Sequence, residues 1–102
     1  MRMVAVTACP TGIAHTYMAA EALIKSAVSF GIQIQVETQG AMGIENQLTH
    51  QDIHQADLIL IASDINIENA ERFQQYQVIN TTIVEVLTDP NKVIQDCIKQ
   101  TS

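Results

Sequence analysis

The sequence predicts an α/β fold: an open, four-stranded parallel sheet of order 2-1-3-4, with helices on both faces in a three-layer, Rossmann-like arrangement. Three observations carry this. Two runs, "MVAVTA" at residues 3–8 and "LILIA" at 58–62, are apolar almost throughout, as central parallel strands buried on both faces must be. "IQIQVE" at 32–37 alternates strictly and "YQVIN" at 76–80 does so more weakly, so both read as edge strands. Helical patterns stand between the strands, which calls for right-handed crossovers into one parallel sheet.

After the first strand, Thr16, Ala19, Ala20, Leu23, Ala27 and Phe30 recur at steps of three and four, drawing one helical stripe that ends at Gly31. The alternating strand follows and completes a β–α–β unit. "LTHQD" then signals a short helix with a capping box, in which Thr49 accepts from the amide three residues on and Asp52 reaches back. It leads into the third strand. "TTIVEVL" at 81–87 is ambiguous, because its β-branched residues favour a strand while its place favours a helical turn packed on the sheet. Asp89 caps the last helix, Pro90 takes its first position with φ already fixed, and Val93, Ile94, Cys97 and Ile98 form its buried stripe as far as about Gln100. No repeat, linker or low-complexity stretch divides the chain, so residues 1–102 read as one domain.

A chain of 102 residues buries roughly 60–70% of its surface without disulfides or metal. The net charge of −6, with five Lys and Arg, leaves no electrostatic footprint for nucleic acid, and no stretch approaches the ~20 apolar residues of a membrane span. Neither a nucleic-acid partner nor membrane insertion is expected. "MRMVAVTAC" superficially resembles a lipoprotein signal ending at its cysteine, but its apolar part is too short for export. Two cysteines far apart, with no export signal, fit reduced thiols in the cytoplasm.

The junction "VAVTACPTGIAHTYMAAEAL" holds the chemistry. Cys9 is the first residue after the first strand, at the switch point where open α/β sheets bind ligands. The amides from Pro10's successors through Thr11, Gly12, Ile13, Ala14, His15 and Thr16 lead into a helix N-terminus, which favours anions, and Gly12 gives the backbone freedom to curl as a nest. A phosphate-sized dianion fits such a loop, with the Thr11 and Thr16 hydroxyls as further donors. The same field favours thiolate, the nucleophilic form, so Cys9 is the candidate catalytic residue for attack on a phosphoryl group. The bland alternative is a small buried apolar residue at a strand end.

"CPTGIAHTYMAAEAL", followed by "VETQGAMGIENQLTHQDIHQADLILIASD" and "ERF", closely resembles the fructose-type enzyme IIB domain of the bacterial phosphoenolpyruvate-dependent sugar phosphotransferase system. The resemblance runs from Val4 to about Phe73. It implies a phosphotransferase in which Cys9 takes phosphate from a histidine of a partner IIA domain and passes it to a sugar, fructose or fructose-like, bound by the membrane IIC permease. It implies no cofactor and no metal. Two departures stand out: "RFQQYQV" lacks the glycine-lysine pair that usually follows "RF", and Tyr17 stands where phenylalanine is common.

Other readings remain open at this point. Low-molecular-weight tyrosine phosphatases carry a cysteine, five residues and an arginine; "CPTGIAHT" has His15 in the arginine's place, and Asp89–Pro90 echoes their acid. A phosphatase, or a degenerate regulatory domain that binds phosphorylated partners, is therefore the rival. His15 either tunes the Cys9 thiolate and donates to phosphate or faces solvent at the helix start. Glu37, Thr38, Gln39 and Gly40 should end the second strand and Asp64 the third, rimming the Cys9 edge, although turn chemistry alone explains Gly40 and Gly43. His50 and His54 stand one helical turn apart but lack a third ligand, so no metal is expected. Cys97 belongs to the core.

Overall fold

The computed structural model describes residues 1–9, 13–41 and 43–101. Its central strand is β1 (Arg2–Ala8), buried at every residue after Arg2. On one side β1 pairs with β2 (Gln33–Gly40) and on the other with β4 (Leu58–Ser63), both parallel; β5 (Ile79–Thr81) pairs parallel with β4. A further strand, β3 (Gly43–Glu45), turns back antiparallel along the end of β2 and gives the order β3-β2-β1-β4-β5.

The four parallel strands thus stand in the expected order, but the expected strand count of four is corrected to five among the described residues. The extra strand is three residues long, too short to display a period, and lies in a run of turn-forming residues. It covers β2 only along Thr38–Gly40, so the front of β2 keeps the edge character its alternation predicts. At the other edge only Ile79 and Asn80 of "YQVIN" enter a strand, while Tyr76 and Val78 pack, half-buried, against the core.

Alternate residues of β1 face opposite layers. Met3 and Ala5, with Leu58 and Leu60, pack under α1 (Ile13–Ser29), α3 (Ile83–Thr88) and α4 (Pro90–Thr101) through Ala19, Leu23, Ala27, Val86, Ile94 and Cys97. Val4 and Val6, with Ile59, meet Leu48, Ile53 of α2 (His50–Gln55) and Phe73 of the 3-10 turn Ala70–Phe73. Helices cover both faces, as the largely apolar central strands require.

The α1 stripe is buried from Thr16 to Ala27, but Phe30 leaves it and is 39% exposed. The helix ends at Ser29, Gly31 takes a φ of 74°, and the amides of Gly31 and Ile32 return to the carbonyls of Val28 and Ala27 at 3.0 and 2.9 Å. Ile32 then fills the buried place the period assigns to Phe30. The ambiguous segment 81–87 divides: Thr81 ends β5, Thr82 caps α3 by accepting from the Glu85 amide at 3.1 Å, and Ile83 and Val86 are buried. The capping box of α2 forms in both directions, and Asp89 accepts from the Lys92 amide at 3.1 Å to start α4. Among the described residues no helix is long and apolar enough to cross a membrane.

Candidate functional site

Cys9 follows β1 directly, between the carboxyl ends of β2 and β4. It borders an open cavity of about 460 Å³, also lined by Gln39 and Gly40 of β2, Gly43 of β3, and Ile65, Asn66 and Glu68 after β4. The thiol-bearing residue is itself 8% exposed, so a ligand reaches it through this cavity. That is the crevice at the switch point which the strand order requires.

Of the expected loop, Pro10, Thr11 and Gly12, and with them the nest expected around Gly12, lie outside the described residues. Ile13 begins α1, and Ala14 and His15 are exposed on its first turn. No acidic side chain in that turn neutralises the positive end of the helix dipole. Thr16 is buried, at 1% exposure, and its Oγ1 has no hydrogen-bond partner among the described residues. Its carbonyl accepts from Thr7 Oγ1 at 3.2 Å, which fixes the helix start over β1. A Cβ on Gly40 would lie 3.7 Å from Thr16 Oγ1, so the orphan hydroxyl stands beside a residue of the cavity wall. A buried hydroxyl left unpaired costs about 1–3 kcal/mol.

The rest of the wall is tied together by a buried ionic network. Glu37, fully buried in β2, receives Arg72 through two bonds, Nη1 to Oε1 at 2.8 Å and Nη2 to Oε2 at 3.0 Å. It also accepts from Gln39 Nε2 at 2.7 Å and from the Leu48 amide at 2.9 Å. Burial alone raises the Glu37 pKa, but Arg72, Gln39 and the Leu48 amide outweigh it and hold the carboxyl below its ordinary 4.5. Arg72 donates further to the carbonyls of Leu48 and Asn69, and its guanidinium lies 4.9 Å from the centre of the Phe73 ring. Gln39 exchanges two bonds with the Glu68 backbone, at 2.8 and 3.1 Å. The end of β2, the Leu48 segment, the 3-10 turn and the loop after β4 are therefore one unit, and its face borders Cys9.

Elsewhere the Tyr17 hydroxyl donates to the Glu45 carboxylate, linking α1 to β3. The carboxylate stabilises the protonated phenol and raises the Tyr17 pKa above its ordinary 10.0. The sequence places Glu37 and Gln39 at this rim but misses Arg72, the partner of Glu37, which stands 35 residues from it. The signal was "ERF", whose arginine precedes a buried Phe73 in a run without helical or strand period.

Asp64 lies just beyond β4 and is exposed. His50 and His54 sit on α2, where His54 Nδ1 is 3.4 Å from the Tyr76 hydroxyl, and neither lines the Cys9 cavity. Cys97 is 1% exposed in the core, and burial, with Asp96 nearby, pushes its thiol up to about 11.

Comparison with known proteins agrees with this geometry. The model of the family described as PTS system, Lactose/Cellobiose specific IIB subunit matches residues 4–96. The chain is 45% identical over 86 residues to the PTS system fructose-like EIIB component 2 of Escherichia coli (strain K12), covering 84% of this chain and 81% of that protein. It is 42% identical over 99 residues to the PTS system fructose-specific EIIABC component of Bacillus subtilis (strain 168), covering 97% of this chain but 15% of that longer protein. A crystal structure of a predicted fructose-specific IIB from Escherichia coli superposes with a TM-score of 0.93 at 42% identity, covering 99% of this chain and 89% of that one. The chain belongs to the IIB family of sugar phosphotransferase systems, a family of transferases, and its relatives are those of the fructose type.

Proposed function

We propose that the protein is a cytoplasmic phosphoryl carrier that accepts phosphate on Cys9 from a phosphohistidine of a IIA domain and gives it to a fructose-like sugar held by a membrane IIC component. The observation that carries this is the place of Cys9: one residue past the central strand, at a cavity bordered by Gly40, which backs onto the Thr16 hydroxyl, and ahead of α1 in sequence, whose first turn holds no acidic side chain. In the first step the Cys9 sulfur attacks phosphorus and the P–N bond breaks, leaving its electron pair on the histidine nitrogen. In the second a sugar hydroxyl oxygen attacks, the S–P bond breaks with its electrons returning to sulfur, and the hydroxyl proton passes to a base. Thr16 and the amides of the α1 start stabilise the phosphoryl oxygens in both steps. The EIIABC name of the Bacillus subtilis relative joins A, B and C parts in one protein, which supports partners of those kinds.

Hydrolysis by the same site is disfavoured. His15 replaces the clamp arginine of a phosphatase, and Asp89, the candidate acid, caps α4 by accepting from the Lys92 amide. The test is the fate of the phosphorylated protein. It should persist in buffer at neutral pH and discharge on addition of fructose with membranes containing a fructose IIC component. Steady turnover of an aryl phosphate, abolished by Asp89→Asn, would replace the carrier with a phosphatase.

A further inference from the structure

A phosphoryl group in transfer spreads negative charge over its oxygens, and sites that move it bring cations to them. The sequence has five Lys and Arg, and each is placed away from Cys9. Arg2 opens β1, at the opposite end of the strand, and donates to Gln55 at 2.7 Å. Lys25 lies about 18 Å of helix rise beyond Ile13 and pairs with Glu21 at 3.4 Å. Lys92 follows Asn91, whose side chain meets Ser26 in that same distant part of α1. Lys99 is in the last turn of α4, beside Gln100, which borders the entry end of β4 with Asp57 and Leu58. Arg72 is buried, with both terminal nitrogens committed to Glu37. On the first turn of α1 stands only His15, an imidazole rather than a fixed cation.

The cavity is instead bordered by an acidic and an apolar side chain. Glu68 and Ile65 line it and are exposed, Ile65 to 47%, and exposed Asp64 directly precedes Ile65 just beyond β4. Behind the wall residue Gly40 lies the Thr16 hydroxyl, buried and without a hydrogen-bond partner among the described residues. An anion site with an acidic rim and no cation in reach repels a phosphorylated donor unless the donor itself carries the compensating charge. We infer that the cation facing the phosphoryl group during transfer is brought by the donor domain. That domain docks over the Cys9 cavity with lysine or arginine beside its phosphohistidine, set against Asp64 and Glu68, and with an apolar contact for Ile65.

This rests on the carrier reading, and the experiment separates the two. The probe is the phosphorylated EIIA part of a fructose-specific EIIABC protein. Transfer to the wild-type chain should fall at least tenfold from about 50 mM to about 500 mM salt, because exposed charge pairs are screened. The Asp64→Lys/Glu68→Lys variant, checked for folding by circular dichroism, should lose at least tenfold in transfer rate at low salt. The same change made on Cys9→Ser, which cannot react, should weaken donor binding by a similar factor. Among alanine variants of the donor's exposed lysines and arginines, at least one should slow transfer at saturating donor. Transfer indifferent to salt and to the reversed charges, or abolished by His15→Gln but by no donor variant, would overturn the inference and leave the carrier reading standing. A folded wild-type chain that takes no phosphate would overturn the carrier reading, and this inference with it.

Discussion

Arg72 holds both carboxylate oxygens of Glu37, at 2.8 and 3.0 Å, in a place where the Glu37 side chain meets no solvent and that of Arg72 is only 8% exposed. Removing one partner of such a pair leaves a buried charge uncompensated, at a cost of about 3–5 kcal/mol. Against the ~5–15 kcal/mol that stabilises a domain, that is a large fraction. Arg72→Leu should therefore lower the urea midpoint sharply. Glu37→Gln with Arg72→Met should recover much of the loss, since the pair is then replaced rather than broken. Equal loss in the single and double variants would show that the ion pair is not the source.

Acid should undo the same unit. The Glu37 carboxyl is held below its ordinary 4.5 in the folded protein, so the folded state binds its proton less readily than the unfolded state does. Its contribution is fully present above 4.5 and disappears as pH falls through the depressed folded value. Stability measured by urea unfolding from neutral pH downward should fall below that point. The acid limb should be shallower in the Glu37→Gln/Arg72→Met variant, and an unchanged limb would assign acid sensitivity to other carboxyls.

The sheet's parallel strands, the first and last helices and the place of Cys9 were legible because each is written in neighbouring residues: unbroken apolar runs, a stripe of small residues, an Asp-Pro start. What was not legible depends on contacts distant in sequence. Arg72 meets Glu37 only after the 3-10 turn has folded under β4, and Tyr17 meets Glu45 only because a three-residue strand turns back on β2. Phe30 continued the helical period in sequence, but the Gly31 turn broke it one residue earlier. Local pattern located Cys9 at the end of the central strand; the walls of its cavity come from tertiary pairing.

Gly31 closes α1 with φ at 74°, and a Cβ there would meet no atom within 4 Å. Gly31→Ala should therefore cost about 1 kcal/mol from backbone strain alone, with no steric component. Gly40→Ala is the control, since its Cβ makes only an ordinary contact with Thr16 Oγ1 at 3.7 Å. Thermal unfolding of the two variants should rank Gly31→Ala as the less stable.

The two thiols should differ in reactivity. Cys97 is buried in the core and its thiol is pushed up to about 11, whereas Cys9 borders an open cavity. Iodoacetamide at mildly alkaline pH should label the native protein at Cys9 alone and add Cys97 only after unfolding. Labelling of both at one rate in native protein would mean that the α4 packing opens readily.

The most direct measurement is the site of phosphorylation. Intact mass spectrometry after incubation with a phosphorylated IIA domain should show one phosphoryl group on the wild-type chain. Fragmentation should place it on Cys9, and the Cys9→Ser variant should keep its fold and take up none. A phosphoryl group found on His15, or retained at the wild-type rate in Cys9→Ser, would contradict Cys9 as the carrier.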